Sequence, residues 1–166
     1  MIRYPRMIKN FNAFLDSESF AGLAETAKLP DFKLQVAKHR AAGMDGAAPV
    51  DMGTEDMRSE VSLKEWTPSA LKLIGTRKRL VLRPAAQGKV ASEADAIIAT
   101  IGGLWAGLNP GELKPGSDVP MKLGLEVEYF RLEINGDEIF EIDILAGKRV
   151  VGGVDQVAAL RQAMGL

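Results

Sequence analysis

One histidine, His39, is present in a chain of 166 residues that holds no cysteine. An imidazole acts as a general base when an acid orients it and a nucleophile lies against it. Nothing in "LQVAKHRAAG" around His39 singles out such partners, and His39 falls on the polar face of a strand pattern. It reads as a surface histidine. Without cysteine, disulfides, thiolate zinc sites and cysteine nucleophiles are excluded, and one histidine is too few for a zinc site of the metalloprotease kind. Two acid pairs, Glu93 with Asp95 and Glu126 with Glu128, stand at i, i+2 on strand patterns. Both carboxylates of a pair then project to one wet face, whereas a catalytic pair needs a desolvated pocket. "DMGTEDMRSE" is acidic, but its glycine is third, where a calcium loop of the EF-hand type needs it sixth. "GELKPG" and "GGLWAG" lack the Gly-Lys-Ser/Thr ending of a phosphate loop. No catalytic, cofactor-binding or metal-ligating residue follows, no cofactor is implied, and the chain is expected not to be an enzyme.

The elements that would position any site are mostly strands. In Met57 to Leu63, Met57, Val61 and Leu63 fall on one face and Asp56, Arg58, Glu60, Ser62 and Lys64 on the other. That alternation is a half-buried strand. Phe32 to Lys38 alternates in the same way. Met121 to Tyr129 alternates on odd positions, then Phe130, Leu132 and Ile134 take over on even ones, so a slip near Tyr129 and Phe130 predicts a β-bulge or a change of sheet. Asn135-Gly136 follows, then Ile139 to Ile144, which predicts a tight hairpin because both turn residues need positive φ. "NFNAFLDSESFAGLAE" suggests a second hairpin with a longer loop, and Ala96 to Leu108 a buried strand with a bend, too short and too glycine-rich to cross a bilayer.

Two helices are predicted. One has Thr67 as N-cap, Pro68 in its first turn and Gly75 at its end. The other has Asp155 as cap, an apolar stripe of Val157, Leu160 and Met164, and Gly165 as its close. The chain therefore reads as a single domain, residues 1–166, mainly β with a short internal helix and a C-terminal helix: a β-sandwich or partly closed barrel of antiparallel strands. The opening "MIRYPRMIKNFNAF" lacks the apolar run of a secretory signal.

Charge is split along the chain. The formal net charge is −1. Trp66 to Ser92 carries six bases (Lys72, Arg77, Lys78, Arg79, Arg83, Lys89) and no acid, while Glu93 to Asp143 carries eleven acids and three bases. Such a split suits a chain whose basic face meets the acidic face of the next copy. Between strand patterns lies "RAAGMDGAAPVDMG", a loop of glycines, alanines and methionines. Methionine adapts to irregular apolar contacts. In a chain that assembles with its own copies, residues 40–53 are expected to reach an adjacent subunit, with Arg40, Gly43, Met44, Asp45, Gly46, Val50, Asp51, Met52 and Gly53 at the contact; a solvent-exposed hairpin tip is the other reading.

"LP" at 29–30, "RAAGMDG", "VDMG", "NPGELKPG" (109–116), "EYFRLEINGDEIFEID" (128–143) and the ending "GGVDQVAALRQAMGL" (152–166) resemble, in order, the major tail tube protein of contractile-tailed phages and the inner tube of R-type pyocins. Thr76 to Ser92 matches poorly, and Gly102-Gly103 replaces an expected charged residue before the glycine. The resemblance implies a structural subunit forming hexameric rings that stack into a hollow tube. It implies a contractile sheath, a baseplate and a tail terminator as partners, a place in the virion tail or a pyocin-like particle, and assembly in the bacterial cytoplasm. DNA would pass through the lumen without specific binding, or ions would leak through it. Because phosphate contacts by lysine and arginine dominate DNA affinity, an acidic or neutral lumen wall is expected, with Asp56, Glu60, Glu93 and Asp95 as candidates. A monomeric β-sandwich module binding a sugar or peptide is the alternative from another class.

Overall fold

A computed structural model describes residues 4–90 and 92–166; the first three residues of the opening stretch and Ala91 lie outside it. Antiparallel pairing runs through one ten-stranded sheet and one separate pair of strands. The strands are β1 (Met7–Leu15), β2 (Glu18–Ser19), β3 (Ala24–Lys28), β4 (Leu34–His39), β5 (Ala48–Thr54) and β6 (Met57–Leu63). After the helix α1 (Pro68–Leu71) come β7 (Leu80–Gln87), β8 (Ala94–Asn109), β9 (Met121–Ile134), β10 (Asp137–Asp143), β11 (Lys148–Val151) and β12 (Val154–Asp155). The helix α2 (Ala158–Met164) ends the fold. The expected mainly β, antiparallel architecture with two short helices is what forms.

Strand β9 organises the sheet. One edge pairs with β8 along nearly its whole length. The other edge is shared: Met121 to Val127 pair with β6, and Tyr129 to Ile134 pair with β10. The change of partner coincides with a register shift, where Gly102 faces Tyr129 but Gly103 faces Val127. Glu128 is the extra residue, and its carbonyl accepts the Ile144 N–H at 2.9 Å. The slip read near Tyr129 and Phe130 is thus both a bulge and a change of neighbour. From β8 the sheet continues through β7 and β1 to β2; from β6 it continues to β3. The Phe20 N–H donates to the Ala13 carbonyl at 2.8 Å and extends the β1–β2 pairing, and the Phe20 carbonyl accepts the Ala24 N–H at 3.0 Å where the chain turns into β3.

The inward residues follow the period of two. Leu15, Val61, Leu82, Ile101, Trp105 and Leu125 are all buried in one core. Trp105 is 0% exposed and satisfies its indole N–H on the Lys78 carbonyl at 3.1 Å, as a buried polar donor must. Ser62, expected on the wet face, is buried, and so is Ser59, whose hydroxyl donates to the Lys28 carbonyl at 2.7 Å.

Four local expectations change. The first hairpin has no longer loop: β1 turns into β2 through Asp16-Ser17 alone, both at positive φ. Two-residue turns of that hand match the twist of the strands. Helix α1 is a single turn, and Thr67 makes no side-chain cap. The segment beyond it is captured by β8 instead, with Gly75 N–H on the Trp105 carbonyl at 2.8 Å and Trp105 N–H on the Thr76 carbonyl at 3.0 Å. Asp155 belongs to β12 rather than to the helix cap, which is Val157; its Oδ1 accepts the Val157 N–H at 3.1 Å. Last, residues 40–53 are not one loop, since β5 begins at Ala48. At the far end of β9, Asn135-Gly136 forms the predicted turn with φ of 52° and 86°.

Candidate assembly surfaces

Strands β4 and β5 form an arm. They pair only with each other among the described residues, from Leu34↔Thr54 to His39↔Ala48, and a shift between Leu34 and Val36 bends the arm at its root. Six residues of strand give it a length of about 20 Å. Val36, Val50 and Met52 are large apolar side chains that stay exposed on it. Residues 40–47 make the tip, where the Met44 N–H donates to the Ala41 carbonyl at 3.2 Å. The nine interface candidates therefore divide: Arg40, Gly43, Met44, Asp45 and Gly46 form the tip, and Val50, Asp51, Met52 and Gly53 lie on β5. His39, the last residue of β4, is exposed.

One side chain ties the arm to the body. Arg149 of β11, 6% exposed, donates through both terminal nitrogens to the Asp51 carboxylate. The Arg149 guanidinium, with the Gly53 N–H at 2.9 Å, holds the Asp51 carboxyl below its ordinary value. Beside this link an open groove of about 350 Å3 runs between β5 and α2. Its apolar wall is Met52, Ile144, Val157, Leu160 and Met164. Leu160 is 61% and Met164 59% exposed, and no residue of α2 is buried. The C-terminal stripe thus has the predicted amphipathic spacing, but among the described residues only Val157 is partly covered and Leu160 and Met164 stay exposed. Thr54 joins this groove to a second hollow formed with Gln35, Glu55 and Asp56.

The four acidic lumen candidates occupy separate places. Asp56 lies in the β5–β6 turn and Glu93 in the β7–β8 turn. Glu60 is on the outward face of β6, paired with Lys122 at 3.7 Å. Asp95 lies opposite Ala86 on the core-facing side of β8, held by Arg6 and by the Asn135 amide at 2.8 Å. Glu60 stands beside Gly124 and Asp95 near Asn135, roughly 36 Å apart along β9. They make no single acidic surface within a subunit.

Across the outward face of the main sheet, charges are paired in the chain itself. Glu126 takes Arg58, Glu128 takes Arg77 at 3.1 Å, Glu133 and Glu138 share Arg131, and Glu141 takes Lys148. The Lys148 ammonium holds the Glu141 carboxyl below its ordinary value. Burial, then the Glu141 hydrogen bond, pushes the Tyr129 hydroxyl up to about 12, so it stays a donor. Of the acidic half of the sequence, Glu93, Asp95, Glu126, Glu128 and Glu141 are thus paired with bases from other segments. Among the described residues no group of three or more acids and histidines is placed to hold a metal, and no helix is long and apolar enough to cross a membrane.

The single chain thus leaves open an arm with exposed apolar side chains and a mostly exposed C-terminal helix, beside an outward sheet of paired charges. The family model of the phage tail tube protein FII matches residues 5–165. The chain belongs to the tail tube family. The tail tube protein of Escherichia phage P2 is 31% identical over 169 residues, with 98% of each chain covered. The major tail tube protein of Serratia phage KSP20 is 22% identical over 144 residues, covering 85% of this chain and 84% of that one. Among solved structures, the sheath/tube terminator of an extracellular contractile injection system, PVC, overlays 80% of this chain and 99% of its own with a TM-score of 0.61. The sheath–tube complex of that system gives 0.60 over 80% and 93%. At 8% and 9% identity these two speak for the fold. Membership in the tail tube family makes the chain a structural protein of phage tails, a component of the tail, and not an enzyme.

Proposed function

We propose that this tail tube subunit closes into hexameric rings that stack into a hollow tube, and that the β4–β5 arm, with residues 40–53, makes the contact to an adjacent copy. The observation that carries this reading is the arm: a strand pair outside the main sheet, with Val36, Val50 and Met52 exposed on it and anchored at its root by Asp51 to Arg149. A lone two-stranded ribbon is marginal in water, so it gains most of its order from a neighbour. Head-to-tail contacts close into rings or continue as filaments, and open strand edges become useful when a second copy meets them.

The outward face of β7, β8, β9 and β10 is the proposed lumen wall. Of its cations, Lys122 is held by Glu60 and Arg131 by Glu133 and Glu138, which leaves few available to phosphates. DNA then passes without retention. The tube works with a contractile sheath around it, a baseplate below, a terminator at its end, and is built in the host cytoplasm.

The test is assembly. Met44→Asp and a deletion of residues 43–46 are expected to leave a folded chain that no longer elongates, read by sedimentation and negative-stain microscopy. Tubes of normal yield from both variants would remove the arm from the contact.

A further inference from the structure

The arm carries charge unevenly, and its root carries the complement. Lys38 and Arg40 flank the tip, with Asp45 as the acid there. Neither base has an ion-pair partner among the described residues. The tip's apolar atoms are those of Met44 and the alanines beside it. At the root, Glu55 and Asp56 are exposed, equally without ion-pair partners, and share Thr54 with the apolar groove of Met52, Leu160 and Met164. One end thus offers a methionine beside two cations. The other offers a groove with an apolar wall, whose own bases Lys148, Arg149 and Arg161 are held by Glu141, Asp51 and Asp155, beside two carboxylates. About 20 Å of strand separates them, so a chain cannot satisfy its own pair.

Resting on the arm's role proposed above, we infer that the groove between β5 and α2 is the receptor for the arm tip of a second copy. Met44 of the incoming tip covers Leu160 and Met164, while its Lys38 and Arg40 face Glu55 and Asp56. The contact is heterologous, since it joins two different surfaces, and each copy presents both. It repeats without limit along an axis. The charge pairing sets register and direction, because a tip presented to a tip meets like charge; the apolar groove supplies the buried area. The C-terminal helix accordingly stays uncovered in the free subunit and becomes interior in the polymer.

Charge reversal tests the pairing. Lys38→Glu with Arg40→Glu places acids against acids, and Glu55→Lys with Asp56→Lys places bases against bases. Each double variant should raise the concentration needed for assembly by about tenfold or more. The chain carrying all four changes should regain tubes, with thermal melting of every variant showing a folded subunit. If the tip variant fails to assemble and the fourfold variant fails with it, the arm contact stands but the groove is not its receptor. Normal tubes from the tip variant would overturn the arm contact and the receptor together. The absence of cysteine allows a second reading that does not depend on charge. Met44→Cys with Leu160→Cys, treated in tubes with a short thiol-reactive crosslinker, should give a ladder of covalent oligomers on a denaturing gel. A gel showing monomer alone from intact tubes would overturn the inference.

Discussion

Arg149 and Asp51 are nearly a hundred residues apart in sequence, yet the buried guanidinium of one grips the carboxylate of the other and fixes where the β4–β5 arm leaves the body. A buried guanidinium left without its carboxylate is a larger penalty than the pair is a gain. Asp51→Asn should therefore loosen the arm. The expected result is faster amide exchange across β4 and β5, a melting temperature lower by a few degrees, and unchanged exchange in β8 and β9. Equal protection of the arm in both proteins would show that the pair does not anchor it.

The same carboxylate gives the link a pH dependence. Its folded value is depressed below the ordinary 3.8, first by the Arg149 hydrogen bond and then by the Gly53 N–H. Stability from a depressed carboxyl is present above the unfolded value and is lost as pH falls through the folded one. Protection of the arm should be flat from about pH 8 to pH 5 and fall only in acid below the ordinary carboxylate value. In Asp51→Asn that acid-side loss should be absent. A loss centred near neutrality would point to another group.

Neighbouring glycines in β8 should respond in opposite ways. A Cβ on Gly103 would lie 1.9 Å from the Glu126 carbonyl oxygen, while one on Gly102 would meet Tyr129 at 3.4 Å. Gly103→Ala has to push two buried strands apart at the bulge that lets β9 change partner. Overpacking of this kind costs about 1–3 kcal/mol, and backbone displacement adds to it. Gly102→Ala should stay within about 0.5 kcal/mol of the parent by the usual range for surface changes. Chemical denaturation of the two variants decides; similar midpoints would contradict the close approach.

Leu160→Ser with Met164→Ser separates folding from assembly. Both side chains are mostly exposed in the free subunit, so the monomer should melt within a degree or two of the parent. Tubes should be lost or need far more protein. A large fall in monomer stability would mean that α2 is packed in solution after all.

Much of this fold is visible in the residues. Strand β6 starts at Met57 and ends at Leu63 as the alternation says, because its dry face lies on the core. The slip near Tyr129 and the turn at Asn135-Gly136 are equally plain, since a face swap and a pair of positive φ angles leave local traces in sequence. Strand β3 was not legible: "AETAK" has no clean alternation, as it is an edge whose five residues are none of them fully buried. The C-terminal stripe misleads for a related reason. Periodicity says that Val157, Leu160 and Met164 share a face, but not whether their cover is the same chain or another. The arm shows the same limit. Its residues read as strand, loop and strand, while the point where it is tied to the body depends on a partner that sequence spacing does not encode, Arg149. Likewise, the split of charge along the chain overstates the split in space, because Arg77 and Glu128, from opposite halves, meet within one subunit.

The central claim is that this subunit is finished by copies of itself. High-resolution electron microscopy of the concentrated, seeded protein tests it most directly, by locating residues 40–47 relative to neighbouring copies. The predicted result is a hollow tube of uniform width, with each arm tip seated on an adjacent chain and α2 covered. Single subunits at every concentration and seeding condition, or tubes whose arm tips stand free in solvent, would contradict it.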